Sequence, residues 1–176
     1  MKYTPSMDRG PQHTQTPPEA ELSEGATEFG PRRGESTLVR EVMQRQVVRI
    51  SAGERLSTVE DIMTLGGVRH MPVVRGGELV GVVSERDLLR ASLSNLNALG
   101  SEHRRAFLHA VEIEQVMSQP PIVIDPDATV ERAARVLSEN KIGCLPVVDH
   151  AQELVGLITE TDVLDYFAGV EPDPQP

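Results

Sequence analysis

Two stretches of the chain run through the same order of hydrophobic and polar positions. Each opens with a short apolar run, Val47–Ile50 or Ile122–Ile124, that predicts a strand. The run ends at a turn signal, Ser51-Ala52-Gly53 in one and Asp125-Pro126-Asp127 in the other. A helix is predicted next. Its apolar positions are Leu56, Val59, Ile62 and Met63 in the first stretch, and Val130, Ala133, Ala134, Val136 and Leu137 in the second. Spacings of three and four put these residues on one stripe, the signature of a helix with one buried face. Gly66-Gly67 and the segment Asn140 to Gly143 stop the two helices. Two strands follow in each stretch: Met71–Arg75 and Leu79–Ser84, joined by Gly76-Gly77, then Leu145–Asp149 and Leu154–Thr159. A Gly-Gly pair between alternating apolar runs predicts a hairpin, because the favoured two-residue turns need positive φ. A last helix starts at Ser84 or Thr159.

The resemblance between the stretches extends to residue identity. Val42-Met43 recurs as Val116-Met117, Val48-Arg49-Ile50 as Ile122-Val123-Ile124, and Met71-Pro72-Val73-Val74 as Leu145-Pro146-Val147-Val148, all at an offset of 74. One residue is then inserted. Glu78-Leu79-Val80-Gly81 reappears as Glu153-Leu154-Val155-Gly156 at an offset of 75, and Ser84-Glu85-Arg86-Asp87 answers to Thr159-Glu160-Thr161-Asp162. A register held over more than forty positions marks an internal duplication. The expected fold is α+β, a tandem repeat of two β-α-β-β-α units over residues 39–91 and 113–168, with a helical connection at 92–112. In that connection Ser101 is placed to cap a helix whose Phe107, Leu108 and Val111 face inward.

The flanks differ in kind. Residues 1–38 hold 5 Pro, 4 Gly and 8 Ser or Thr without apolar period. They offer too little apolar surface to offset the entropy of ordering, so a disordered tail is expected there, and a frayed end at 169–176. The composition, 39% hydrophobic and 25% charged, is that of an ordinary globular protein, and with 3% aromatics any core must be aliphatic. No apolar run nears the roughly 18 residues of a membrane span, and the N-terminal residues lack the apolar stretch of a secretion signal. Residues 39–168 carry 13 basic and 19 acidic residues, which argues against nucleic acid or an anionic membrane as partner. The one cysteine, Cys144, leaves no intramolecular disulfide and no multi-cysteine metal site, so a reducing, cytoplasmic setting is expected.

The element that carries chemistry is Gly-x-x-[Ser/Thr]-x-x-Asp, present as Gly81/Ser84/Asp87 and Gly156/Thr159/Asp162. It sits where a strand hands over to a helix, and two readings stand side by side. A Ser or Thr cap with an acid three residues on is nearly a capping box, stabilising the helix and nothing more. The same geometry can also hold a nucleoside. A helix N-terminus presents unpaired N–H groups, an ionised Asp accepts hydrogen bonds from a ribose diol, and a strand glycine lets a ligand or another backbone approach.

Duplicated strand–helix–strand–strand–helix units with an apolar-Pro-Val-apolar strand and this motif resemble the CBS domain pair, the Bateman module, over about residues 39–168. The resemblance implies a non-catalytic regulatory module that binds AMP, ADP, ATP or S-adenosylmethionine in two clefts between the repeats and forms homodimers. It implies that Asp87 and Asp162 hold ribose hydroxyls and that Ser84 and Thr159 contact ribose or phosphate. Val48, Ile50, Met71, Ile122, Ile124 and Leu145 would flank the base. Where such units often carry Thr or Ser after the Val-Met pair, the first copy has Gln44 and only the second keeps Ser118, which would weaken a phosphate contact in the first. Two residues before the proline stand His70 and Cys144, so phosphate preference should differ between the sites.

Other residues carry bland readings. Cys144 beside Leu145-Pro146 reads as a small buried apolar residue. His70 and Arg69 fit a phosphate clamp or a plain surface strand equally well. No His spacing suggests a metal, no cofactor is required, and no nucleophile-base pair, P-loop or dinucleotide fingerprint is present. Two rivals remain to an adenosyl-nucleotide module: a structural dimerisation or docking module with empty pockets, and the detached regulatory part of an enzyme such as inosine monophosphate dehydrogenase.

Overall fold

The computed structural model describes residues 36–95 and 101–170. The tail expected before residue 36, the side chain of Ser101 and residues 171–176 lie outside them.

The expected elements form, with shorter first strands. In the first half, β1 (Ile50–Ser51) is followed by α2 (Leu56–Gly66), β2 (His70–Arg75), β3 (Glu78–Ser84) and α3 (Glu85–Asn95), after a short lead-in helix α1 (Val39–Val42). The connection contributes α4 (Ser101–Ala110) and a 3-10 turn at Ile113–Gln115. The second half has α5 (Val130–Asn140), β4 (Cys144–Val148), β5 (Leu154–Thr159) and α6 (Glu160–Ala168). The run Val47–Ile50 pairs only through Ile50 and Ser51, parallel to Val73 and Val74. The run Ile122–Ile124 shrinks to one bridge between Ile124 and Val147. Val48 and Ile122 are half exposed, and among the described residues neither is paired in a ladder.

The hairpins explain the one-residue insertion. Gly76 and Gly77 both take positive φ, 60° and 94°, and close a two-residue loop between Arg75 and Glu78. In the second half the loop is longer. Asp149 Oδ1 accepts from the N–H groups of Ala151 and Glu153, both at 2.9 Å, and Gln152 takes the left-handed conformation. Beyond the turns the two hairpins match: His70 faces Ser84 as Cys144 faces Thr159, and Val73 faces Gly81 as Val147 faces Gly156.

What the duplication does not foretell is the path of the lead-ins. Each crosses to the opposite half. Leu38 bridges Thr129, the Val39 N–H donates to the Ala128 carbonyl, and Val39, Val42 and Met43 are buried in one core with Val130, Leu137, Leu145 and Tyr166. Reciprocally, the Ile113 N–H donates to the Glu54 carbonyl, and Ile113 and Met117 are buried with Leu56, Val59, Met71 and Val83. Leu108 joins the same core. Each core is therefore completed by chain from the other repeat, and the two repeats interlock. Thr37, expected in the tail, is tied to the second half: its carbonyl accepts from the Val130 N–H and its hydroxyl from Tyr166.

Candidate functional site

The start of each last helix is built by the repeated motif. Ser84 N–H and Oγ both reach Asp87 Oδ2, at 2.9 and 2.6 Å, while the Asp87 N–H points back at Ser84 Oγ at 3.3 Å. Thr159 and Asp162 repeat the arrangement at 2.7, 2.7 and 3.3 Å. Both acids are thus helix caps, satisfying N–H groups that a helix start leaves without partners. Each cap engages one carboxylate oxygen, Oδ2.

The two sites then part company. Asp162 Oδ1 accepts from Gln44 Nε2 at 3.0 Å. Among the described residues nothing donates to Asp87 Oδ1. Gln44 arrives there by the exchange of lead-ins: its N–H and carbonyl pair with Leu157, so it lies beside the acid of the second repeat, not that of its own. Ser118 likewise pairs with Val82 in the first half. The expectation that Gln44 alters the site of the first copy is corrected accordingly; the residue belongs to the second.

The motif glycines serve this crossing. A Cβ on Gly81 would lie 2.6 Å from Met117 Sδ and 2.9 Å from the Ser118 carbonyl, and one on Gly156 would meet Met43 and the Gln44 carbonyl in the same way. At both glycines another backbone makes the close approach.

The residues expected around a base fall in two groups. Val48 and Ile122 are exposed by 45% and 40% and are free to wall a cleft. Ile50, Ile124, Met71 and Leu145 are packed in the cores, the last two with no exposure at all. Strand alternation told these residues' face, not whether that face meets core or cleft.

A polar cluster joins the halves between β2 and the start of α6. His70 crowds Gly143, where a Cβ would lie 2.5 Å from its Nε2, and Arg69 donates to Thr161 Oγ1 at 3.3 Å. Burial lowers the His70 pKa, aided by Arg69 and Arg86 and opposed by Glu160 and Asp87. Cys144 is buried and its thiol is pushed up to about 12, by burial first and then by Asp87 and Glu160. It stays protonated and unreactive near neutral pH. Sequence spacing did not bring together Asp125, Asp127 and His150, whose ligand atoms lie within 4.8 Å of one another. Their oxygens already serve the fold: Asp125 Oδ1 accepts from the Asp127 N–H, and Asp127 pairs with Arg40. Among the described residues no helix is long and apolar enough to cross a membrane.

Comparison with known proteins places this geometry. The CBS domain model matches residues 39–94 and again 113–169. Protein MJ1225 of Methanocaldococcus jannaschii is 33% identical over 136 residues, 76% of this chain and 48% of that protein. The chain thus spans about half the length of that relative, whose crystal structure superposes with a TM-score of 0.68. A CBS domain-containing protein of Dictyostelium discoideum is 30% identical over 78% of this chain and 96% of its own length. CBSX2, solved in complex with AMP, is 26% identical, with a TM-score of 0.61 over 73% of this chain and 93% of that one.

Proposed function

The chain belongs to the CBS domain family as a tandem pair, and from that premise we propose that it is a non-catalytic regulatory module whose ligand is an adenosyl nucleotide. The observation that carries the reading is the carboxylate of Asp87. Its Oδ2 is fixed by Ser84, which orients the group, and its Oδ1 has no donor among the described residues. A carboxylate held in this way at a helix N-terminus accepts from ribose hydroxyls, while the neighbouring N–H groups and Arg69 suit a phosphate. Val48 and Ile122 supply apolar surface for a base. The AMP complex of CBSX2 supports the ligand class. No reaction is assigned, and the one thiol, Cys144, is held protonated.

The module acts as a homodimer in this reading. Leu89 on α3 and Leu164 and Phe167 on α6 are exposed large apolar residues, and Leu89 and Leu164 occupy equivalent repeat positions. Such faces are suited to a second copy. The rival reading, a scaffold with empty pockets, draws on the capping boxes, which give both acids a role without any ligand.

A thermal-shift series with AMP, ADP, ATP, S-adenosylmethionine and GTP separates the two. A ligand at 100 times its Kd adds about 2.7 kcal/mol to stability. The sensor gives a clear shift with at least one adenosyl ligand and a smaller one with GTP. The scaffold gives none.

A further inference from the structure

Gln44 and Ser118 occupy the same backbone position in the two halves, yet they treat the facing acid differently. Gln44 exchanges both main-chain hydrogen bonds with Leu157 at 2.9 Å, and Ser118 exchanges them with Val82 at 2.9 and 3.1 Å. Val82 and Leu157 are themselves equivalent strand positions. From this shared seat the Gln44 amide reaches Asp162 Oδ1 at 3.0 Å, while Thr159 holds Oδ2 through its N–H and its hydroxyl. Both oxygens of Asp162 are engaged. Asp87 has the same hold on Oδ2 from Ser84, but the Ser118 side chain is two atoms shorter in reach than that of Gln and no described residue donates to Oδ1.

Resting on the nucleotide-binding reading, we propose that Gln44 is a built-in competitor for the ribose diol: it lowers the affinity of the Asp162 site, so the chain fills the Asp87 site first. A diol entering at Asp87 adds a charge-assisted hydrogen bond to an oxygen without a protein donor. At Asp162 it must first displace an amide that makes one, so the exchange gains little. The competitor is fixed in place by its backbone. Met43 beside it is buried against Gly156 in the second core, so the main chain of Gln44 stays and only rotation of the exposed side chain clears the acid. The effect is sized by one exposed hydrogen bond to a carboxylate, about 10-fold in affinity.

The test is a calorimetric titration of the full chain with AMP, in the wild type and in Gln44→Ser and Ser118→Gln. Both side chains are exposed, and thermal melts check that the variants fold. The wild type should show one tighter and one weaker site. Gln44→Ser should tighten the weaker site about 10-fold, and Ser118→Gln should weaken the tighter one by a similar factor. Constants that ignore both substitutions overturn the inference and leave nucleotide binding standing. A weaker second site in Gln44→Ser overturns it as well, since Gln44 would then be a ligand contact. Absence of AMP binding at millimolar concentration in all three chains overturns both.

Discussion

Met117 lies across Gly81, its sulfur 2.6 Å from where a Cβ on that glycine would sit, and through this contact the second repeat's lead-in closes the core of the first. Adding a methyl group there forces Met117 and the Ser118 carbonyl to move, and the carbonyl is tied to Val82. Gly81→Ala should therefore cost about 1–3 kcal/mol, the usual range for overpacking a closed core. Gly156→Ala should cost a similar amount through Met43. Urea melts of the two variants measure this. A cost near zero would mean that the lead-ins are not seated on the glycines.

The crossing also decides which half a lead-in mutation loosens. Val39 has no exposure and contacts the second core. Val39→Ala should lose about 2 kcal/mol, as buried truncations of this size do. Native-state hydrogen exchange should place the loss of protection in α5 and α6 before α2. Loosening of α2 first would assign the lead-in to its own repeat.

How far the sequence was readable follows from what each signal encodes. Helix period, the Gly76-Gly77 turn and the Ser84/Asp87 and Thr159/Asp162 caps are local, and all three appear where expected. The exchange was not readable, because Val42-Met43 and Val116-Met117 are the same pair and would suit either half. A duplication leaves that choice open. The contact between Gln44 and Asp162 spans 118 positions and depends on the exchange, so no spacing announces it. Whether Met71 and Leu145 pack in a core or flank a base was not readable either. Alternation along a strand fixes parity, and both faces of these hairpins are apolar near the proline.

His70 gives stability a pH dependence of definite sign. Its pKa is lowered in the folded chain, chiefly by burial and by Arg69, against an ordinary value of 6.5. Above that value both folded and unfolded chains carry it neutral and it costs nothing. As pH falls below it, the unfolded chain takes up the proton first, so stability is lost until the folded value is passed. His70→Gln should remove this part of the loss, so the wild type should fall further than the variant between pH 7.5 and pH 5. Parallel denaturant melts at the two pH values measure the difference. An equal fall in both would place the titration elsewhere.

The exposed Leu89, Leu164 and Phe167 make a second copy the expected partner. Light scattering at micromolar concentration should give about twice the 19.3 kDa chain mass, and Leu164→Glu should bring it to the single mass. A wild type that stays monomeric at high concentration would contradict this.

Everything functional turns on whether Asp87 meets a ligand or only caps α3. The cap alone is worth about 1 kcal/mol of stability. A hydrogen bond from a ribose hydroxyl to the carboxylate adds roughly 1.5–3 kcal/mol of binding, or about 10- to 150-fold in affinity. The decisive measurement is a calorimetric titration of AMP into the wild type and into Asp87→Ala, each first shown to be folded. A nucleotide module binds AMP and loses that factor on substitution. No binding to the wild type at millimolar AMP, or an affinity that Asp87→Ala leaves unchanged, would contradict it.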